Sequence, residues 1–139
     1  MISAVDTNVL LDIFGADSDF GARSSRAFRS CQAGGRIIAC EVVWTETASF
    51  FPSPEAAAEA MSRLGVDFEP SSSETALVAS GAWKEYRQRG GRRHRVVADF
   101  LVGAHAASCA ERLLTRDRGF YRTYFEGLTI LDPSADSPA

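Results

Sequence analysis

Asp6, Glu46, Asp99 and Asp117 fall where apolar runs would be expected to continue. Asp6 closes the run from Ile2 to Val5, and Asp117 follows Leu113-Leu114-Thr115. Asp99 interrupts the stretch Val96 to Val102, and Glu46 lies within Val42 to Phe50. A charge against an apolar sheet is costly unless a cation or a water-filled cleft receives it. Taken singly, each acid is equally readable as a solvated residue or half of a salt bridge. As a set they are harder to dismiss, because only Arg116 and Arg118 are close to them in sequence. Carboxylates without paired bases form a hard-oxygen donor set for Mg²⁺ or Mn²⁺. Such a set suits phosphodiester hydrolysis: a metal offsets the phosphate charge, lowers the pKa of water and stabilises the leaving oxygen.

The elements that must position these acids are short and alternate in type. Strands are predicted at Ile2 to Val5, Arg36 to Ala39, Val66 to Phe68, Arg112 to Thr115 and Leu128 to Leu131. Helices are predicted between them. The first is capped by Thr7 or Asn8, and one runs from Phe20 to Ala33, stopped by Gly34-Gly35. Another spans Glu41 to Phe51, ahead of Pro52. Ser53-Pro54-Glu55 starts a further helix, and Ser71 with Glu74 has capping-box spacing ahead of a helix to Gln88. Val96 to Ala110 and Arg118 to Tyr124 complete the set. Strands separated by helices require crossover connections, so the sheet is parallel with helices on both faces. Functional groups then gather outside the carboxyl ends of the strands, the edge at which both Asp6 and Asp117 lie.

The chain has 139 residues, 45% hydrophobic and 24% charged, as expected of one globular domain. We expect this domain to span 1–132, followed by a disordered Ser-, Pro- and Ala-rich tail at 133–139. No apolar run reaches membrane-spanning length, and the N-terminus lacks a basic leader, so a cytoplasmic location is expected. Cys31, Cys40 and Cys109 match no zinc spacing and read as free, mostly buried thiols. With a net charge of −3, nucleic-acid binding would have to rest on a local basic patch.

VDTNVLLD, TETASF, VVADFLVGAHA and LLTRDRGFY together closely resemble the four motifs of the PIN domain, and in particular VapC-type toxins of bacterial toxin–antitoxin pairs. The resemblance covers nearly the whole chain. It implies a three-layer α/β/α sandwich around a central parallel five-stranded sheet. It also implies RNA cleavage, frequent homodimers and inhibition by a VapB-type antitoxin. By position it makes Asp6, Glu46, Asp99 and Asp117 the ligands of Mg²⁺ or Mn²⁺. Thr115 would then orient water or a ligand, and Asn8 would support the first loop. Gly103, one helical turn after Asp99, permits a close helix–sheet approach there.

Arg87, Arg89, Arg92, Arg93 and Arg95 form the densest basic run and are candidates to hold RNA phosphates beside the acids. His105 is six residues after Asp99 and points away from it, so it is assigned to packing or surface. Trp44, Trp83, Phe50, Phe51 and Tyr86 read as core or interface, and Phe50-Phe51 as a candidate antitoxin groove. Two other enzyme classes fit less well. An aspartyl phosphatase would want an acid where Asn8 stands, and a phosphoryl-accepting receiver domain would want a lysine near the last strand, whereas Lys84 is the only lysine. The alternatives left open are an RNA-processing nuclease without an antitoxin and a PIN domain that binds RNA without cutting it.

Overall fold

The computed structural model describes residues 1–91 and 95–135. Apolar strand residues and amphipathic helices assemble in the order β1 (Ile2–Val5), α1 (Thr7–Phe14), α2 (Gly21–Gly34), β2 (Arg36–Ala39), α3 (Glu41–Ala48), α4 (Pro54–Leu64), β3 (Val66–Phe68), α5 (Ser73–Gln88), α6 (Val97–Cys109), β4 (Arg112–Leu114), α7 (Arg118–Tyr124) and β5 (Thr129–Leu131). All four strand pairings are parallel, and the sheet runs β3-β2-β1-β4-β5. This is the parallel five-stranded α/β sandwich expected.

The strand order makes the site. β1 lies between β2, the next strand in sequence, and β4, reached only after a long excursion through β3. Chain direction across the sheet reverses at β1/β4, and the crevice at such a point opens at the carboxyl edge. Val5 pairs with Leu114, so Asp6 and Thr115 leave the sheet side by side. The Asp6 amide donates to Leu114 O at 2.9 Å and so extends the ladder to the crevice.

The central strands are apolar on both faces, as buried parallel strands must be. Ala4, Val5, Ile37, Ile38, Leu113 and Leu114 are all buried. α5, α6 and α7 share one layer, tied by Phe100 against Trp83, Tyr86, Phe120 and Tyr124 at centroid distances of 5.7, 5.4, 5.1 and 5.9 Å. His105 is buried in α6, as a packing residue, and its burial pushes its pKa down. Cys31 and Cys40 are buried, Cys109 is half-buried, and all three are free.

Where boundaries differ from expectation, side chains explain it. The cap of α1 is Asp6, whose Oδ1 accepts from Thr7 N at 2.8 Å, and not Thr7 or Asn8. Those two side chains are drawn into tertiary bonds instead. α3 ends at Ala48, three residues short of Phe51, with Ser49 Oγ donating to Glu46 O at 2.6 Å. Ser72 caps α5, accepting from Thr75 N at 3.2 Å, one residue beyond the expected Ser71. At the tail, Ser134 folds back on Asp132 at 2.8 Å and accepts from Arg23 at 3.2 Å, while 136–139 lie outside the described residues.

Gly103 answers a close approach, though not to the sheet. A Cβ there would lie 2.3 Å from the Phe125 ring. The ring sits in the hollow that the missing side chain leaves. Gly103→Ala should therefore cost about 1–3 kcal/mol of stability through overpacking, read as a lower urea midpoint with an unchanged m-value.

Candidate active site

Asp6 is the centre of the crevice and is only 8% exposed. Its Oδ2 accepts from Thr115 Oγ1 at 2.8 Å, Tyr121 OH at 3.1 Å and, weakly, Asn8 Nδ2 at 3.5 Å. These donors fix the carboxylate but do not repay its desolvation. Burial pushes its pKa up to about 6, the donors pull it down less, and the Glu46 charge adds a smaller upward push.

Thr115 is fully buried and joins three groups. It donates to Asp6 and accepts from Asp117 N at 3.0 Å and from Asn8 Nδ2 at 3.3 Å. Asn8 in turn accepts from Arg116 N at 3.1 Å. The loops after β1 and β4 are thereby stapled together, so Asn8 acts in tertiary structure and not as a local cap. Glu46, on the exposed side of α3, accepts from Thr7 Oγ1 at 2.9 Å.

Asp99 does not stand as the lone charge on an apolar helix that the sequence suggested. It is half-buried in the first turn of α6, where its carboxylate accepts from Val96 N at 3.3 Å. A carboxylate suits that position because the free amides of a helix start favour negative charge.

Asp117 departs further from expectation. It is not unpaired: Arg95 grips it with two nitrogens, at 2.5 and 3.1 Å. The guanidinium also lies over the Phe120 ring at 4.3 Å. Arg95 thus sits inside the acidic crevice, close enough for both Asp117 and Asp99 to raise its pKa. The other described arginines of the basic run are otherwise engaged. Arg89 pairs with Glu85 at 2.6 Å, Arg87 lies over Trp83 at 6.0 Å, and Arg92 and Arg93 lie outside the described residues.

Two further residues were not singled out by sequence. The buried Tyr121 hydroxyl donates to Asp6, and its pKa is pushed far up by burial and then by the Asp6, Asp99 and Asp117 charges. Its signal was its place one helical turn after Asp117, on the same face of α7. Asp12 is buried and gripped by Arg116 at 2.8 and 3.1 Å, with Ser24 Oγ donating at 2.7 Å. This pair ties the loop that carries Asp117 to α1.

Asp6, Glu46, Asp99, Asp117 and Thr115 offer oxygen atoms only, and among the described residues no cationic side chain bonds the buried Asp6 carboxylate. That chemistry fits a hard divalent cation. As the side chains stand, no three of the described acidic, His or Cys groups are placed to hold an ion together. Arg95 occupies Asp117, and Thr7 holds Glu46.

Residues 4–126 match the family model of the PIN domain, and the chain belongs to that family. Its fold is shared by VapBC2 from Rickettsia felis, solved with a DNA fragment of its promoter, at 17% identity over 95% of this chain and 98% of that one, TM-score 0.72. VapBC-1 from nontypeable Haemophilus influenzae aligns at 15% identity over 97% and 100%, TM-score 0.74. Mycobacterium tuberculosis VapC20, described as a sarcin-ricin loop cleaving toxin, aligns at 20% identity over 91% and 98%, TM-score 0.58. At these identities the likeness establishes the fold. No curated protein sequence matches the chain significantly.

Proposed function

We propose that this PIN domain is a divalent-metal-dependent endoribonuclease and the toxin of a VapBC-type pair. The observation that carries the reading is the buried Asp6 carboxylate at the carboxyl edge of the sheet, linked through Thr115 to the Asp117 amide and through Thr7 to Glu46. Asp6, Glu46, Asp99 and Asp117 are the residues that would hold Mg²⁺ or Mn²⁺. When bound, such an ion would neutralise charge at the phosphodiester and acidify water at neutral pH. The chain's own groups supply orientation. Thr115, Tyr121 and Thr7 hold the Asp6 carboxylate in one rotamer, and Asn8 fixes the two loops that flank it. Arg95, released from Asp117, is a guanidinium suited to an RNA phosphate oxygen.

The toxin role is supported by the VapBC fold likeness. An antitoxin or a second copy of the chain would cover apolar surface such as Phe50, Leu77 and Val78, all exposed. We place the protein in the cytoplasm with its RNA. Among the described residues no helix is long and apolar enough to cross a membrane.

The test is cleavage of a labelled RNA pool with Mn²⁺, Mg²⁺ or chelator. Asp6→Asn should lower the rate at least a hundredfold, in line with the loss of one preorganised electrostatic group. Undiminished cutting in chelator would overturn the metal-dependent reading. RNA binding without cutting in either metal would leave a non-catalytic PIN domain.

A further inference from the structure

α2 carries an arginine row that the acidic crevice does not use. Arg23, Arg26 and Arg29 recur every third residue along an acid-free helix, and all three are exposed. They rise about 9 Å along the axis and fan over one face. In a chain of net charge −3 this is a concentrated reversal of sign. Most other described arginines are spoken for: Arg36 pairs with Asp67, Arg63 with Glu59, Arg89 with Glu85, Arg95 with Asp117, Arg116 with Asp12 and Arg118 with Asp132. Arg26 and Arg29 have no acidic partner among the described residues, and Arg23 donates only to the Ser134 carbonyl.

The surface is also concave. Arg23 and Arg26 line a hollow of about 460 Å³ beside Leu131 and Asp132, and Arg26 and Arg29 a second of about 510 Å³ beside Ile13 and Asp17. Neither acid neutralises the row. Asp132 faces Arg118 at 3.6 Å, and the Asp17 carboxylate is turned to the amides of Asp19 and Phe20 at 2.9 and 2.8 Å.

The row begins on the carboxyl side of the sheet. Arg116, the residue before Asp117, lies over the Phe20 ring at 4.2 Å, just ahead of α2. At the other end Gly34 O accepts from the N-terminal ammonium at 3.0 Å, at the start of β1. α2 therefore runs from the carboxyl edge of the sheet to its amino edge, with Arg23 nearest the site.

We propose that Arg23, Arg26 and Arg29 form a second phosphate-binding surface, which holds the backbone of an RNA beyond the segment placed in the crevice. Guanidinium groups suit this because each can take two phosphate oxygens without reading a base. The choice of RNA as the polyanion rests on the nuclease reading above. The surface favours a long RNA over a short strand, since only a long ligand reaches both the crevice and α2.

The test uses the full chain and compares Arg26→Gln/Arg29→Gln with Lys84→Glu, which changes the net charge equally on the opposite layer. Binding to a labelled RNA hairpin is measured in chelator across a salt series, and cleavage of a tetranucleotide is measured with Mn²⁺. Loss of two phosphate contacts should weaken hairpin binding about tenfold or more and flatten the log–log salt slope by about 1.4–1.8. Tetranucleotide cleavage should be unchanged, and Lys84→Glu should leave the slope near the wild-type value. A wild-type slope in the arginine variant overturns the proposal. So does equal flattening by Lys84→Glu, which would make the effect one of net charge. A changed oligomeric state with an unchanged slope would assign α2 to a contact between copies instead. Because binding is read in chelator, failure of the wild type to cut any RNA would sink the nuclease reading alone.

Discussion

Asp6→Asn should unfold at a higher temperature than the wild type in chelator, although it removes the central carboxylate of the site. Burial pushes the wild-type group up to about 6 in the fold from 3.8 ordinarily. A carboxyl whose folded pKa is raised binds more protons in the native state than in the unfolded chain across that interval. Its contribution to stability is therefore lost as pH rises through the interval, and the penalty is complete at neutral pH. The interval corresponds to about 3 kcal/mol at most. Asparagine removes the charge and keeps the Oδ1 acceptor for Thr7 N. Its amide nitrogen, however, faces the hydroxyls of Thr115 and Tyr121, which must turn to accept, and that recovers less than the full amount. A net gain of about 1–2 kcal/mol, or roughly 3–8 °C, is expected at pH 7.

The variant should be the less stable of the two near pH 4, by the hydrogen bonding that asparagine does not recover, and the more stable by pH 6.5. Saturating Mg²⁺ should then reverse the order, because binding to the native state adds about 2.7 kcal/mol at a hundred times Kd, and the variant lacks a ligand. Thermal unfolding of both proteins across pH, with chelator and with Mg²⁺, reads all of this. A gap of constant size from pH 4 to 8, or a variant less stable throughout, would mean that Asp6 is stabilised by its donors more than it is strained by burial.

Linear context set Asp6, Glu46, Asp99 and Asp117 alike against apolar runs, and only the fold separates their surroundings. Asp99 opens α6, where its carboxylate accepts from Val96 N. Asp6 is the one that the loops after β1 and β4 close over. The sheet itself was readable because its signal is local: short apolar strands, glycine and proline stops, and helices of ordinary length determine parallel order almost without reference to tertiary contacts. The positions of Asp6 and Asp117 at one edge followed from that order. What the sequence could not convey were pairings across long loops. Arg95 is 22 residues from Asp117 and Tyr121 is 115 from Asp6. Nothing in the local pattern announces the Arg95 pairing, and the spacing of Tyr121 from Asp117 points to the site without naming Asp6 as its partner. The same holds for Asp12, whose partner Arg116 had been noted only for its nearness to Asp117.

Arg116→Ala should produce the largest loss of stability of any single change at the rim of the site. Asp12 has a side chain only 5% exposed, and Arg116 supplies both of its ionic bonds. With the guanidinium gone, Ser24 alone remains to compensate a buried charge, and such uncompensated charges cost about 3–5 kcal/mol. Asp12→Ala should cost less, because the freed Arg116 is 28% exposed and still lies over Phe20. The double change Asp12→Leu/Arg116→Met exchanges the pair for apolar bulk, and should recover most of the wild-type melting temperature, since buried ion pairs are often replaceable by packed hydrophobes. Stability and positioning then separate. In the double variant the loop from Thr115 to Arg118 keeps its bond to Asn8 but loses its tether to α1, and Asp117 rides on that loop. Cleavage should fall about tenfold in kcat with little change in KM, the signature of misplacement and not of lost binding. A double variant that cuts at the wild-type rate would reduce the Asp12–Arg116 pair to a packing element. A single Arg116→Ala that melts within a degree of wild type would show that water reaches Asp12 and that the pair is not buried as described.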